Sequence, residues 1–265
     1  MGVKGIGIAT IIAQSVSLII ILIKVFKNNR IKEINKNDLI PKFIFFKNIF
    51  FQSMPITVSI CGYALAAAII FTYVGQSGEY AAAGYGAGTR IEQVVLLPIL
   101  GINTAIISII AQNYGAKNFN RIKETYITAI KYAFMIMVVS GLFVFILAGI
   151  ITSIFSNDPE VIEYGKRYLK ISAFVLPAYP VFFLSNGFFI ALKKSEMAMI
   201  SNFFRNVLNT IIAFYIAKYI NASFITFFWI WVGINWFFSI SYFLIIIYYF
   251  KNRLGKSRAI LNPSP

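Results

Sequence analysis

Seven long stretches of this chain are nearly free of charge, and short polar, mostly basic segments separate them. The apolar runs are Val3 to Ile23, Ile49 to Val74, Ala81 to Ala111, Tyr126 to Phe155, Leu169 to Leu192, Phe203 to Ile220 and Phe224 to Phe250. A helix rises 1.5 Å per residue, so each run is long enough to cross about 30 Å of hydrocarbon. A membrane barrel would show short alternating segments instead. The expected fold class is therefore all-α, a polytopic transmembrane helix bundle of about seven spans.

Composition narrows the picture further. Hydrophobic residues make up 59% of the 265 and charged residues 12%, against about 25% charged in a typical soluble domain. The mean hydropathy is +0.77. A soluble enzyme, a disordered chain and a disulfide scaffold are all excluded. Cys61 is the single cysteine, so no intrachain disulfide framework exists, and there is no histidine. Histidine-built zinc sites, Ser-His-Asp triads and imidazole relays are absent with it.

The net charge of +15 would suit nucleic acid, but the basic residues form no single patch. They follow the spans instead. One set of alternate gaps holds 18 of the 24 basic residues, including Lys24 to Lys47, Lys117 to Lys131, Lys193, Lys194, Arg205 and the residues from Lys251 to Arg258. The positive-inside rule makes that set cytoplasmic, which places the N-terminus outside and the C-terminus in the cytoplasm of the cell inner (plasma) membrane. The outer loop from Ser156 to Lys170 carries Asp158, Glu160 and Glu163 against three cations. Its Ser-Asn-Asp-Pro at 156 to 159 reads as a turn and helix N-cap. The first run is too long for a signal peptide and lacks a basic flank before it. The basic segment from Lys24 to Lys47 sets one span apart from six. Either the chain is an ordinary seven-helix protein, or it is the C-terminal part of something longer.

Charge within a span costs about 3 kcal/mol or more at mid-bilayer, so Arg90 and Glu92 in the third run are candidates. Two residues apart on a helix, they face opposite sides and do not pair. Either Arg90 snorkels to headgroups while Glu92 faces the bundle or a wet cavity, or Glu92 is a cation or proton ligand. Asn103 and Asn186 line a pathway or join helices by hydrogen bonds. Pro55, Pro98, Pro177 and Pro180 each remove a backbone donor and predict kinks or breaks. The pair in the fifth run, beside Tyr179, marks a substrate site, a hinge, or a packing distortion. Small residues at Ala64, Ala66 to Ala68 and Ala81 to Gly88 predict close helix approach. Trp229, Trp231 and Trp236 read as an interfacial belt.

Three stretches carry a family resemblance. Ala81-Ala-Ala-Gly-Tyr-Gly-Ala-Gly-Thr-Arg90 is followed by Leu97-Pro-Ile-Leu-Gly101 and by Ala111-Gln-Asn-Tyr-Gly-Ala116. Their order resembles the seventh-to-eighth helix region of the multidrug and toxic compound extrusion (MATE) transporters. The turn formed by Gln112, Asn113, Gly115 and Ala116 is the most specific piece. Asn186-Gly187 with Ala191-Leu-Lys-Lys is similar to the family's tenth-helix end, and Gly5 to Thr10 to the start of its sixth helix. The resemblance implies two six-helix lobes around a V-shaped cavity. On that scheme residues 1–23 are the last helix of an N-lobe, 24–48 the cytoplasmic linker, 49–250 the six-helix C-lobe and 251–265 a cytoplasmic tail. Tyr63 and Tyr179 match positions where some members carry carboxylates, so no cation site of the C-lobe carries over.

What the resemblance implies in function is a secondary active efflux transporter, not an enzyme. It would exchange drugs or other organic solutes, often cationic, for Na⁺ or H⁺ by rocker-switch antiport, inactive without an N-lobe. No other cofactor and no nucleic acid partner is implied. The lipid bilayer is the surrounding partner, and the faces of the second, third and fifth spans, shaped by Pro55, Pro98 and Pro177, would line the cavity. Two alternatives stand beside it: a lipid-linked or polysaccharide flippase of the wider superfamily, with Arg90 as its one basic cavity residue, and a non-transporting membrane scaffold subunit. An intramembrane enzyme lacks any nucleophile-base pair or metal cluster in the runs.

Overall fold

A computed structural model describes residues 2–27 and 43–250. Most of the expected linker at 24–48, and the tail at 251–265, lie outside the described residues. The described residues are helical, with no strand among them: α1 Gly2–Phe26, α2 Phe43–Gly75, α3 Glu79–Val95, α4 Leu97–Gly115, α5 Phe119–Ser153, α6 Pro159–Ser172, α7 Tyr179–Ala191, α8 Ser195–Asn202, α9 Asn209–Tyr219 and α10 Phe224–Tyr249. Among them α1, α2, α4, α5 and α10 are each long and apolar enough to cross a membrane, and α6 with α7 makes a sixth if that bent pair is one span.

Packing divides the chain into two compact units, with the boundary between Phe51 and Gln52. In the first, no described side chain of α1 is buried. The second holds two apolar cores. One gathers Ala81, Tyr85, Leu169, Val175, Phe227 and Phe228. The other gathers Ile110, Ile122, Tyr126, Phe188, Phe189 and Ile246. The outer faces stay apolar, as on α5, where Leu142, Ile146 and Ile150 are exposed. In water such faces would collapse; hydrocarbon is their natural solvent.

The runs read from sequence are interrupted where the prolines and polar residues sit. The run at 81–111 parts into α3 and α4 at Leu96, with Pro98 in the first turn of α4. The fifth run begins at Pro159, ten residues earlier than read, because Asp158 caps that end by accepting from the N–H of Glu160 and Val161. The expected turn and N-cap are there. The helix then breaks. A 3-10 turn, Leu176–Ala178, separates α6 from α7 and bends the pair by 41°. Pro177 and Pro180 occupy opening positions of the 3-10 turn and of α7, where no backbone donor is needed. The indole Nε1–H of Trp236 donates to the carbonyl of Phe174 at 2.9 Å, supplying a partner beside the break. Pro55 differs: it lies inside an unbroken α2, where the Ser59 hydroxyl donates to its carbonyl at 2.8 Å.

The run at 203–220 is also divided. Its first six residues, Phe203–Leu208, form a π turn between α8 and α9. Three chain reversals close with a residue in the left-handed region, Lys117, Lys193 and Asn221. At Lys117 the next N–H, of Asn118, donates back to the carbonyl of Asn113 at 2.8 Å. This Schellman closure is what the Gln112-Asn113-x-Gly115-Ala116 motif builds.

α3 and α6 pack most intimately. Gly84 and Gly88 lie on one face of α3, four residues apart, against Gly165 and Tyr168 of α6. That is the small-residue contact the Ala81 to Gly88 segment predicts.

Candidate functional site

Glu92 lies on the inner face of α3 and is 8% exposed. Arg90, two residues earlier, points outward and is exposed, as helical spacing requires. Two phenolic hydroxyls hold the Glu92 carboxylate: Tyr168 donates to Oε2 and Tyr179 to Oε1. Tyr168 comes from α6 and Tyr179 from the first residue of α7, so the carboxylate is clasped from both sides of the broken helix. Eleven residues is close to three helical turns, so the two tyrosines share one face of the bent pair.

A second charge shares this site. Arg205, in the π turn, is also 8% exposed. Its guanidinium carbon lies 4.0 Å from the Phe182 ring centre and 4.6 Å from that of Tyr179. Its Nε–H donates to Asn235 Oδ1 at 3.1 Å, and Asn235 is tied in turn to the carbonyl of Trp231 at 3.2 Å. Tyr179 thus touches both charges, its hydroxyl on Glu92 and its ring beneath Arg205. The ion pairs of the described residues are Lys166–Glu163 and Arg167–Glu163 at the start of α6, so Glu92 and Arg205 do not pair.

Both charges line one cavity of about 570 Å³ within the second compact unit. Its walls are largely apolar and aromatic, with Tyr63, Tyr85, Phe182, Phe183 and Trp231 among them, and with Ser59, Gln93 and Asn206 adding polar points. That volume lies in the range of about 300–1,000 Å³ that encloses a drug-sized molecule. The second, third and fifth runs all contribute, and so do α8, the π turn and α10.

Of the residues singled out from sequence, Tyr63, Glu92 and Tyr179 line this cavity. Pro55, Pro98, Pro177 and Pro180 shape the backbone around it without lining it. Asn186 sits outside its wall, accepting from the Tyr242 hydroxyl at 3.1 Å and joining Asn202 at 3.4 Å. Asn103 turns its Oδ1 against Gly187, buried and without a hydrogen-bond partner. Gln112, Asn113, Gly115 and Ala116 form the turn at the end of α4, remote in sequence and structure from the clasp. Two assignments need correction. The basic cavity residue is Arg205 and not Arg90, since only Arg205 lies on an inward face. Arg205 also belongs inside the bundle, though its sign and its place near a loop assign it to a cytoplasmic gap. Its neighbours Phe203, Phe204, Val207 and Leu208 are the signal that marks it as part of a span. Tyr168, one residue short of the run that begins at Leu169, was not anticipated either.

The MatE family model matches residues 55–215. The FAD transporter of Shewanella oneidensis is 30% identical over 107 residues, 40% of this chain and 24% of that protein. The probable multidrug resistance protein YpnP of Bacillus subtilis is 24% identical over 240 residues, 88% of this chain and 49% of that protein. Among solved structures, that of MATE in complex with MaL6 superposes with a TM-score of 0.75 at 21% identity, over 84% of this chain and 50% of that one. The chain spans about half or less of the length of these relatives.

Proposed function

This chain belongs to the MatE family of multidrug efflux transporters and is a multi-pass helical membrane protein; we propose that residues 49–250 act as one lobe of a secondary active transporter. In this reading the lobe exchanges organic solutes for Na⁺ or H⁺ in the plasma membrane, with the chain's N-terminus outside and its C-terminus in the cytoplasm. One observation carries it. A carboxylate is kept inside a membrane-embedded cavity large enough for a solute, at a cost in hydrocarbon that packing alone does not require.

Glu92 supplies the coupling. A proton or Na⁺ at the carboxylate competes with a cationic or hydrogen-bonding group of the solute for the same two oxygens. Binding of one lowers the affinity for the other by the same factor, as linkage demands. The tyrosine clasp keeps the carboxylate aimed at the cavity between the two occupants, and the bend at Leu176–Ala178 is the hinge across which Tyr168 and Tyr179 separate. Alternating access then comes from rocking this lobe against a second one. On its own the chain binds solute and moves none.

The test uses the purified chain in lipid vesicles with ethidium, a fluorescent organic cation. Binding that weakens as Na⁺ or H⁺ is raised, and that Glu92→Gln makes insensitive to the ion, is the expected result. Ion-independent binding would overturn the coupling role of Glu92. Gradient-driven ethidium flux from vesicles holding this chain alone would overturn the need for a second lobe.

A further inference from the structure

The cavity that holds Glu92 is elongated. Its lining on the unbroken helix α2 runs from Ile70 to Ile56, about 21 Å at 1.5 Å per residue. That is most of the way across about 30 Å of hydrocarbon. Glu92 stands on its α3 wall, and the cavity reaches on to Ile190 and Ser195, which flank the chain reversal at Lys193. A space shaped for a solute alone does not need that arm.

The arm has a polar side. Ser195, Met199, Asn202, Asn206 and Thr210 of α8, the π turn and α9 all line the cavity. Spaced three or four residues apart, they follow one side of the segment, and Met199 alone among them is apolar. Asn202 is fixed in place: its Oδ1 accepts from Asn186 at 3.4 Å and its Nδ2 donates to the carbonyl of Ala198 at 3.0 Å. Among the described residues, the side chains of Ser195 and Asn206 have no hydrogen-bond partner. Next to Thr210, both amide atoms of Asn209 are buried without a partner, as is the hydroxyl of Ser239 on α10. Asparagines that only join helices find partners across the seam. Polar groups left open in an interior are met by water, so this side of the cavity is wet.

Met199 interrupts the polar series between Asn202 and Ser195. Ile190, near the end of α7, lines the same arm, and both side chains are half-buried. An apolar constriction set along a wet path stops ions by dewetting and passes them when it wets.

Resting on the reading of Glu92 as the coupling carboxylate, we propose that this arm is a hydrated route carrying the coupling ion between Glu92 and the Lys193 end of the lobe, with Met199 and Ile190 as its apolar gate. The solute takes the mouth that rocking opens; the ion has its own way out within the lobe. Amide and hydroxyl oxygens suit a hydrated monovalent cation, and the water between them carries a proton. Arg205 lines the same cavity. Its charge is balanced by Glu92 while the carboxylate is empty, and filling the carboxylate turns the guanidinium into a push toward release.

The experiment places single cysteines, Ser195→Cys, Asn202→Cys or Asn206→Cys, in the full chain with Cys61 replaced by Ala. Sealed membrane vesicles of each orientation receive trimethylammonium-ethyl methanethiosulfonate, a cation that does not cross lipid, and Lys193→Cys reports which side faces outward. With the Lys193 side outward, Ser195→Cys should react readily and the cysteines at 202 and 206 slowly. Adding Met199→Ser should speed those two by about tenfold, the effect of removing about two methylene groups from the barrier, and leave Ser195→Cys unchanged. Met199→Trp should slow them. Release of bound ethidium after Na⁺ or acid is added on that side should change in the same direction in both Met199 variants. Rates at 202 and 206 that ignore Met199, or reaction only with the Ser77 side outward, overturn the route and leave the coupling reading standing. Ethidium binding that ignores the ion overturns both. Should Asn202→Cys fail to fold for want of its bond to Asn186, Asn206→Cys decides alone.

Discussion

Gly84 of α3 and Gly165 of α6 meet backbone to backbone: a Cβ on Gly84 would lie 2.7 Å from the Gly165 nitrogen, and one on Gly165 3.1 Å from the Gly84 oxygen. Neither helix can withdraw without opening the core that holds Tyr85, Tyr168 and Phe228. Gly84→Ala should therefore destabilise the protein by about 1–3 kcal/mol, the cost of overpacking. Gly86 is the internal control, because nothing lies within 4 Å of the Cβ it would gain. Gly86→Ala should be neutral or stabilise by up to about 1 kcal/mol through helix propensity. Thermal unfolding in detergent, followed by tryptophan fluorescence, separates the two. Equal midpoints would show that α3 and α6 are not packed as described.

Gly88 carries the same contact into the site. A Cβ there would fall 2.4 Å from Cδ1 of Tyr168, the ring whose hydroxyl holds Glu92. Gly88→Ala should push that ring aside and reproduce the effect of Tyr168→Phe on ethidium binding. Tyr179→Phe should also cost the carboxylate one donor, about 1.5–3 kcal/mol for a hydrogen bond to a charged group, while keeping the ring under Arg205. Tyr179→Leu loses both and should be worse than Tyr179→Phe in thermal midpoint and in binding. If Leu and Phe behave alike at this position, the ring contact with Arg205 contributes nothing measurable.

Trp236 tests the break between α6 and α7. Its indole donor serves the carbonyl of Phe174 at 2.9 Å. Trp236→Phe keeps most of the aromatic bulk and removes that donor, so it should lower stability by about 1–2 kcal/mol. Amide hydrogen exchange should rise in the 172–180 segment and stay unchanged in α5. Uniform exchange across the lobe would mean that the indole bond does not support the break in particular.

Orientation is open to direct labelling. In a chain with Cys61 replaced by Ala, Ser77→Cys and Asn157→Cys should react with a membrane-impermeant maleimide on intact cells. Lys117→Cys and Lys193→Cys should react only after permeabilisation. All four positions are exposed at chain reversals, so access to reagent depends on the side of the membrane. The reverse pattern would invert the topology drawn from the basic residues.

Much of the fold was legible because lipid leaves a plain mark on sequence. Each apolar run is helical in the structure, and Pro177 and Pro180 fall where the fifth run breaks. The glycines at 84 and 88 sit on the contact face that their four-residue spacing suggests. Glu92 stood out because a carboxylate among apolar neighbours is costly. The rest depended on three-dimensional relations that spacing along one helix does not encode. Arg205 was assigned to a loop because cations near span ends usually snorkel; the π turn and the Phe182–Tyr179 stack turn it inward. Removing it from the tally of cytoplasmic cations leaves the bias intact. Tyr168 was passed over because α6 starts well before the apolar run does, its first half being amphipathic and capped by Asp158. Tyr63 was noticed only through the family resemblance, and Tyr179 otherwise only as a neighbour of the proline pair, since a tyrosine in a span has no charge to betray it.

The π turn at Phe203–Leu208 separates two jobs that one regular helix would have to share. A single residue added to or taken from a helix rotates everything beyond it by about 100°, and π insertions are often retained at working sites. Within the insertion the segment answers to the pocket, with Arg205 and Asn206 on its wall. After it, α9 answers to its seam with α10, where Ala213 and Ala217 are buried. What the pocket admits can thus change by substitution at 205 or 206 without disturbing the seam. Excising one residue would merge the two phases, and whichever face then kept its register would do so at the other's expense.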